Sequence, residues 1–181
     1  MMRITAGKFR QKQVKTIDSK NIRPSLSKTR ESIFNILQNQ TEGTVWLDLF
    51  AGSGIIGLEA ASRGAQKIIF VEKNPGHFKL LKENLSQFEF EYEAYLKDAI
   101  KALDYFKEDQ FDFIFLDPPY KSDLAESALK IIVSKKLLNS NGIIIIECPK
   151  DKEFEDLTKE LNLTIRTQKL YGDTKLYFIS I

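Results

Sequence analysis

The tetrapeptide Asp117-Pro118-Pro119-Tyr120 follows directly after an apolar run at residues 111–116. Each proline lacks an N–H group and fixes its φ near about −65°, so the chain leaves this predicted strand as a stiff, non-helical turn. Such a turn holds one carboxyl, the adjoining carbonyls and one aromatic ring in a single arrangement. That set suits a planar group bearing an NH₂, because acceptors meet its hydrogens and a ring meets its face. An ordinary strand-to-loop turn explains the tetrapeptide alone equally well.

Three further polar features lie at the ends of predicted strands. Asp48 begins the run Asp-Leu-Phe-Ala-Gly-Ser-Gly that ends at Gly54, Glu72 ends the next strand, and Asp98 follows the third. In open α/β sheets, ligands bind beyond the carboxyl ends of the strands. Gly52 and Gly54 let a ligand approach the backbone because no Cβ stands in the way. A carboxylate at Glu72 can accept hydrogen bonds from both hydroxyls of a ribose.

The elements that must position these residues alternate between strand and helix patterns. The predicted strands are 44–50, 67–72, 89–96, 111–117, 142–148, 164–170 and 175–181, and the predicted helices are 26–38, 56–63, 75–88, 99–106, 124–135 and 153–161. This order predicts an α/β fold: a doubly wound, mostly parallel seven-stranded sheet with an antiparallel C-terminal hairpin. Residues 1–25 are expected to form a small basic β appendage, and residues 26–181 the main domain.

Positive charge is concentrated at the N-terminus. Residues 1–30 carry nine Lys or Arg against one acid, a net +8, whereas the whole chain is +2 and residues 31–181 are therefore −6. A basic block on a mildly acidic body is typical of nucleic-acid contact. A solvated basic tail is the alternative, but apolar residues interleave with the charges, which indicates a folded segment.

Length and composition limit the class of protein that this chain can be. The 181 residues suffice for one domain that needs no disulfide bond or structural metal. A single cysteine, Cys148, lies in an apolar run, where a core residue is expected rather than a nucleophile. No signal peptide or membrane span is evident in the sequence. We therefore expect a cytoplasmic monomer without a metal.

The glycines also match a competing pattern. Gly52-x-Gly54-x-x-Gly57 followed by Glu72 is typical of dinucleotide binding and would indicate NAD. Two observations weigh against a hydride-transfer enzyme. Asp48 lies inside the strand, where a buried carboxylate needs a specific partner, and such an enzyme has no evident use for the tetrapeptide that begins at Asp117.

Two of these segments resemble known motifs. Residues 48–54 resemble motif I of the S-adenosylmethionine-dependent methyltransferases, and residues 117–120 resemble the (Asp/Asn)-Pro-Pro-Tyr motif of those that methylate exocyclic amino groups. Further segments resemble the RsmD family: RITAGKFR (3–10), RP (23–24), TRESIFNIL (29–37) and YGDTKL (171–176). That family methylates a guanine N2 of bacterial small-subunit (16S) ribosomal RNA. The resemblance covers nearly the whole chain and implies a class I, Rossmann-like methyltransferase fold.

The resemblance also implies residue roles. The cofactor S-adenosylmethionine would be held by Asp48, Phe50, Ala51, Gly52, Ser53, Gly54, Glu72, Lys73, Asp98, Ala99 and Arg30. Methyl transfer would depend on Asp117, Pro118, Pro119 and Tyr120. RNA would be bound by Arg3, Lys8, Arg10, Lys12 and Arg23. One departure is Gln11, where the family's N-terminal turn has glycine, and it leaves the geometry of that hairpin open.

The implied mechanism needs no strong base, because the methyl donor is already a strong electrophile. Acceptors at Asp117 and Pro118 would favour a pyramidal amine in the transition state, and Tyr120 would stack on an unpaired base. Three alternatives stay open at this point. They are a DNA adenine-N6 methyltransferase, a glutamine-methylating protein methyltransferase, whose motif has Asn at position 117, and a non-catalytic nucleic-acid-binding module.

Overall fold

The structure is a computed structural model that describes residues 1–17, 24–120 and 122–181. Its strands are β1 (Met2–Arg3), β2 (Gln13–Val14), β3 (Val45–Asp48), β4 (Lys67–Glu72), β5 (Glu91–Leu96), β6 (Phe111–Leu116), β7 (Leu138–Pro149), β8 (Thr164–Tyr171) and β9 (Thr174–Ser180). Its helices are α1 (Pro24–Leu37), α2 (Ile55–Ser62), α3 (Pro75–Leu85), α4 (Ala99–Ala102), α5 (Leu124–Ser134) and α6 (Glu155–Glu160), with a 3₁₀ turn at Leu103–Tyr105.

The main sheet has seven strands in the order β5-β4-β3-β6-β7-β9-β8. The first five run parallel, and β9 pairs antiparallel with both β7 and β8. From β3 the chain winds outward through β4 and β5, and then returns to the other side of β3 to continue with β6 and β7. Strand order therefore reverses between β3 and β6, the position where open α/β sheets bind ligands. The predicted fold class is confirmed.

The largest differences between the predicted and observed elements are of four residues, at the start of one strand and at the end of one helix. The strand expected at residues 142–148 begins at Leu138, because β7 pairs with Phe111 before an irregularity and only then with Phe113. Gly142 allows this close passage, since a Cβ there would lie 2.6 Å from Leu138 Cγ. The helix expected at residues 99–106 is α-helical only to Ala102 and then tightens into the 3₁₀ turn.

The sheet separates two apolar layers. On one face, Trp46 stacks between Phe34 of α1 and Phe113 of β6, with ring centroids 5.6 and 4.6 Å away. The other face packs against α5 and includes the buried residues Leu129 and Ile132. Burial of both faces explains why β3, β4 and β6 are continuous apolar runs rather than alternating ones.

The N-terminal hairpin formed by β1 and β2 packs on the first of these faces. The buried Glu59 carboxylate of α2 accepts hydrogen bonds from the backbone N–H groups of Thr5, at 3.0 Å, and Ala6, at 3.2 Å. Glu59 also forms ion pairs with Arg30, at 3.5 Å, and Arg63, at 3.1 Å. The hairpin's apolar residues belong to the same buried cluster as the sheet. A division at residue 25 stays a prediction.

The hairpin turn resolves the question raised by Gln11. This residue has φ 69°, the left-handed conformation that glycine adopts most easily. Its N–H donates to the Ile4 carbonyl at 2.9 Å, and its side chain accepts from Arg3 at 3.4 Å. The turn is therefore built with the backbone that a glycine would have, and a non-glycine residue bears the strain.

Candidate active site

Four carboxyl groups lie on one face of the sheet at the ends of adjacent parallel strands. Asp48 of β3 pairs with Phe70 of β4 and with Phe115 of β6. Since side chains alternate between faces, residues two positions further along share the face of Asp48. Those residues are Glu72 and Asp117. The fourth group, Glu147 of β7, takes the next position in register beside Asp117, after the pair Leu116 and Ile146.

The glycine loop after β3 is tied to the end of β4. The Gly52 N–H donates to Glu72 Oε2 at 2.9 Å, and the Asn74 N–H donates to Glu72 Oε1 at 2.7 Å. Gly52 has φ 53° and Gly54 has φ 80°, conformations that favour glycine. Glu72 is thereby held in place by backbone donors, and the loop is held open beside it.

The third glycine of the pattern has a packing role. A Cβ at Gly57 would lie 2.3 Å from the Phe70 ring, so glycine here lets α2 approach β4 closely. Gly57 therefore supports the loop's position through packing.

Two cavities open at this edge of the sheet. A cavity of about 260 Å³ is lined by Met2, Thr16, Ile17, Thr29, Arg30, Asp48, Phe50, Ala51, Gly52, Ser53, Ile55, Ile56, Phe115, Asp117 and Glu147. A cavity of about 440 Å³ is lined by Ile17, Leu49, Phe50, Gly52, Val71, Glu72, Lys73, Asn74, His77, Ala99, Asp117, Pro118, Pro119 and Tyr120. We call them the acidic cavity and the ribose-side cavity. Both are lined by Ile17, Phe50, Gly52 and Asp117.

Asp48 is buried and lines the acidic cavity. Burial raises its pKa to about 7, and the neighbouring charges of Asp117 and Glu72 act in the same direction. Its Oδ1 atom has no hydrogen-bond partner among the described residues. An unpaired buried carboxyl oxygen facing a cavity is suited to a bound amine or hydroxyl.

Asp117 and Glu147 form an acidic pair in the same cavity as Asp48. Burial raises the pKa of Asp117 to about 7. Burial, and then the charge of Asp117, raise the pKa of Glu147 to about 8. Two like charges on neighbouring strands disfavour double ionisation, so this pair tends to retain a proton near neutral pH.

The Tyr120 ring of the tetrapeptide contacts a segment that is distant in sequence. Tyr120 is 41% exposed, and its hydroxyl lies 3.0 Å from the Thr174 hydroxyl at the start of β9. Pro118 and Pro119 line the ribose-side cavity next to it. One side of the site therefore has a partly exposed aromatic ring beside Asp117.

Arg30 and Asp98 are each engaged within the protein. The Arg30 guanidinium is buried and donates to the Arg3 carbonyl at 2.9 Å and to Met2 Sδ at 3.3 Å, so it joins α1 to β1 while lining the acidic cavity. Asp98 Oδ1 caps α4 by accepting from Ile100 and Lys101 N–H groups at 3.1 and 3.2 Å. Their proposed cofactor contacts stay predictions.

The predicted RNA-binding residues lie on the surface of the N-terminal hairpin. Arg3, Lys8, Arg10 and Lys12 are exposed, and Lys8 and Lys12 lie over the Phe9 ring at 4.7 and 5.4 Å. Arg23 lies outside the described residues.

Sequence reasoning missed several lining residues. Asn74 and His77 line the ribose-side cavity, Ile17 lines both cavities, and Glu147 lines the acidic one. A signal for Glu147 was available, because it is the only acid in the run Ile-Ile-Ile-Ile-Glu-Cys148 and a buried acid needs a partner. Ile17 carries no comparable signal.

Two kinds of feature are absent from the described part of the chain. No helix in this part of the chain is long and apolar enough to cross a bilayer. Residues 1–17, 24–120 and 122–181 also contain no group of three or more His, Cys, Asp or Glu side chains that could hold a metal ion.

Comparison with known proteins agrees with the sequence motifs. The family model described as conserved hypothetical protein 95 matches residues 2–180. Ribosomal RNA small subunit methyltransferase D of Haemophilus influenzae is 35% identical over 175 residues, which cover 94% of this chain and 89% of that protein.

Solved structures share the fold. A hypothetical protein of Thermus thermophilus, TTHA0928, is 27% identical with a TM-score of 0.80 and full coverage of both chains (100% each). The T. thermophilus 16S rRNA N2 G1207 methyltransferase RsmC, solved with AdoMet and guanosine, has a TM-score of 0.74 at 21% identity, covering 91% of this chain and 44% of that one. The second likeness concerns the fold alone. On its family match and its 35% identical relative, the chain belongs to the conserved hypothetical protein 95 family, the RsmD family of rRNA methyltransferases.

Proposed function

We propose that this protein transfers a methyl group from S-adenosylmethionine to the exocyclic N2 amine of a guanine in small-subunit ribosomal RNA. The observation that carries the proposal is the position of Asp117. This carboxyl lines both the ribose-side cavity and the acidic cavity, so it stands where a cofactor and a base would meet. The name of the Haemophilus relative supports the substrate class.

The residues present fit the proposed cofactor. Glu72 already accepts two backbone N–H groups, and its remaining lone pairs can accept ribose hydroxyls. The unpaired Asp48 Oδ1 is suited to the amino group of the methionine part. Lys73 and Ala99 line the same cavity as Glu72 and would flank the adenosine. When bound, S-adenosylmethionine supplies a methyl group on a positively charged sulfur.

Asp117 would hold the amine to be methylated. The lone pair of an exocyclic guanine amine is delocalised into the ring, so the amine must become pyramidal to react. An Asp117 carboxylate and the Pro118 carbonyl that accept its hydrogens would favour this geometry, and their effect would be larger in the transition state than in the ground state. Alignment of the two ligands would supply much of the remaining acceleration.

The proton released from the amine also needs an acceptor. The methylated nitrogen is cationic until one N–H proton leaves. Asp117, whose burial raises its pKa to about 7, can take that proton and release it to water. The raised pKa therefore suits the role of a weak base rather than that of a permanent anion.

The remaining features concern RNA. The exposed Tyr120 ring would stack on a base that is unpaired or flipped out of its helix. Arg3, Lys8, Arg10 and Lys12 would contact phosphates from the hairpin that packs beside α2, and Arg23 is assigned the same role from the sequence.

The direct test is an in vitro assay with purified protein, methyl-labelled S-adenosylmethionine and small-subunit RNA, followed by nucleoside analysis. We expect N2-methylguanosine as the product. The Asp117→Ala variant should form none while binding the cofactor within a few-fold of the unaltered protein. An Asp156→Ala variant, altered at an exposed carboxylate of α6, is the matched control. Full activity of Asp117→Ala, or N6-methyladenine as the product, would contradict the proposal.

A further inference from the structure

Four carboxyl groups, those of Asp48, Glu72, Asp117 and Glu147, lie at the ends of adjacent strands. Glu147 is the one to which the function proposed above gives no role. It lies in β7, is 4% exposed, and lines the acidic cavity together with Asp117. The register of β6 and β7 sets the two carboxyls side by side, because Leu116 pairs with Ile146 immediately before them. Neighbouring strands are about 4.8 Å apart, so both groups can reach one small ligand.

The Glu147 carboxyl is unusual because it is buried and lines the acidic cavity beside a second acid, Asp117. Burial, and then the charge of Asp117, raise its pKa to about 8. Burying a carboxyl is costly, and the repulsion from Asp117 adds to the cost. A glutamine or an apolar residue would remove that cost, which indicates that the acid serves a ligand.

The order of strands indicates which ligand lies nearest. Asp98, Glu72 and Asp48, assigned to the cofactor, follow or end β5, β4 and β3. Asp117 and Glu147 belong to the next two positions in the sheet, β6 and β7. A base held by Asp117 on the side away from Glu72 would therefore meet Glu147.

The chemistry of the base edge selects guanine. Guanine presents the N2 amine and the N1–H group next to each other, and both are donors. Adenine presents its amine beside a bare N1, which is an acceptor. The two donors of guanine favour the ionised forms of both acids, so two adjacent carboxylates match this edge and repel the N1 acceptor of adenine. An unmatched buried acceptor carries a large penalty.

We propose that Glu147 is a specificity-determining residue whose carboxylate accepts the N1–H of the target guanine, while Asp117 holds the N2 amine beside it. The inference rests on the proposed function and assigns the choice of base to one side chain. A different role would be contact with the amino group of the cofactor, and the experiment separates the two.

The test uses an RNA substrate with either guanine or 2-aminopurine at the target nucleotide. 2-Aminopurine keeps the amine at C2 but has no hydrogen on N1. Methyl transfer to each RNA is compared for the unaltered protein and for Glu147→Gln, in a buffer more alkaline than the Glu147 pKa of about 8. Glu160→Gln, an exposed acid of α6, is the matched control. Cofactor affinity and thermal unfolding are measured for every variant.

The unaltered protein and the control should prefer guanine by about 100-fold or more in kcat/KM. Glu147→Gln should lower that preference at least about tenfold, because an amide can either accept from or donate to N1. The inference would be overturned if Glu147→Gln kept the preference for guanine unchanged, or if it kept that preference and lost affinity for the cofactor instead. If Glu147→Gln does not fold, the unaltered protein still provides a test. Equal rates of methyl transfer to the guanine RNA and the 2-aminopurine RNA would then overturn the inference.

The two proposals fail in different ways. If the unaltered protein transfers no methyl group to the guanine RNA, the proposed function is contradicted, and the role of Glu147 with it. If it methylates guanine but Glu147 does not influence the preference, only the further inference is lost.

Discussion

The hydroxyl of Tyr120 lies 3.0 Å from the hydroxyl of Thr174. Tyr120 ends the tetrapeptide after β6, and Thr174 begins β9 after the hairpin turn at 172–173. Two segments that are 54 residues apart in sequence, each resembling a family motif, are thus in direct contact. The contact fixes the direction of the Tyr120 ring relative to Asp117, which a flexible loop alone would not do.

Removing this contact should slow methyl transfer without weakening cofactor binding. Tyr120→Phe and Thr174→Val both remove the hydrogen bond between the two hydroxyls, worth about 0.5–1.5 kcal/mol, or roughly 2- to 12-fold in kcat/KM. The double variant should be no slower than either single one, because both remove the same interaction. Steady-state kinetics on the RNA substrate measure these values.

The control for this cycle is Tyr105→Phe, a change to an exposed tyrosine outside both cavities. It should leave kcat/KM unchanged. Additive losses in the Tyr120→Phe, Thr174→Val double variant would show that the two hydroxyls act independently, contrary to the expectation.

Methyl transfer should depend on the ionisation of Asp117. The Asp117 carboxylate accepts hydrogens from the amine more strongly than the protonated acid does, and burial raises the pKa of this group to about 7. Since a carboxyl loses its proton as the pH rises, kcat/KM should increase as the pH rises through about 7 and should level off only above the Glu147 pKa of about 8. A rate that is flat across this range would contradict the assignment.

Three other ionisable groups line the acidic cavity, and their titration must be distinguished from that of Asp117. Burial raises the pKa of Asp48 to about 7 and of Glu147 to about 8, and Arg30 faces them from α1. Measuring cofactor affinity over the same pH range removes the contribution of Asp48. Repeating the profile with Glu147→Gln identifies that of Glu147.

Gln11 offers a test of the hairpin turn. Its φ of 69° strains a residue with a Cβ, so Gln11→Gly should increase the free energy of unfolding by about 0.5–1 kcal/mol after the larger entropy of unfolded glycine is subtracted. Gln11→Ala is the matched control, because it removes the Arg3 contact but keeps the Cβ. Urea unfolding measures both. A glycine variant no more stable than the alanine variant would contradict the backbone explanation.

The basic residues of the hairpin should govern RNA affinity. Replacing Lys8 and Arg10 by glutamate should weaken binding and reduce the slope of log K against log salt by about one for each phosphate that is no longer bound. Lys130→Glu combined with Lys159→Glu changes the same charge on the exposed surfaces of α5 and α6. Equal losses in both double variants, measured by binding titrations at several salt concentrations, would indicate a non-specific effect of net charge.

The strand ends that carry Glu72 and Asp117 could be predicted because apolar runs precede them, and Asp98 could be predicted because it is placed to cap the helix that follows. The partners of these residues could not. Glu147 joins the site only through the register of β6 and β7, which no local pattern contains. Likewise, Glu59 resembles an ordinary helical acid in the sequence, although its buried carboxylate binds the backbone of residues 5 and 6 through contacts more than fifty residues apart.

The central claim is that this protein methylates the N2 amine of one guanine in small-subunit ribosomal RNA. Mass mapping of modified nucleosides in ribosomal RNA from a strain that lacks the gene tests it most directly. The account predicts the loss of N2-methylguanosine at one position, restored by the unaltered gene but not by Asp117→Ala. An unchanged set of N2-methylguanosines in small-subunit RNA would contradict it.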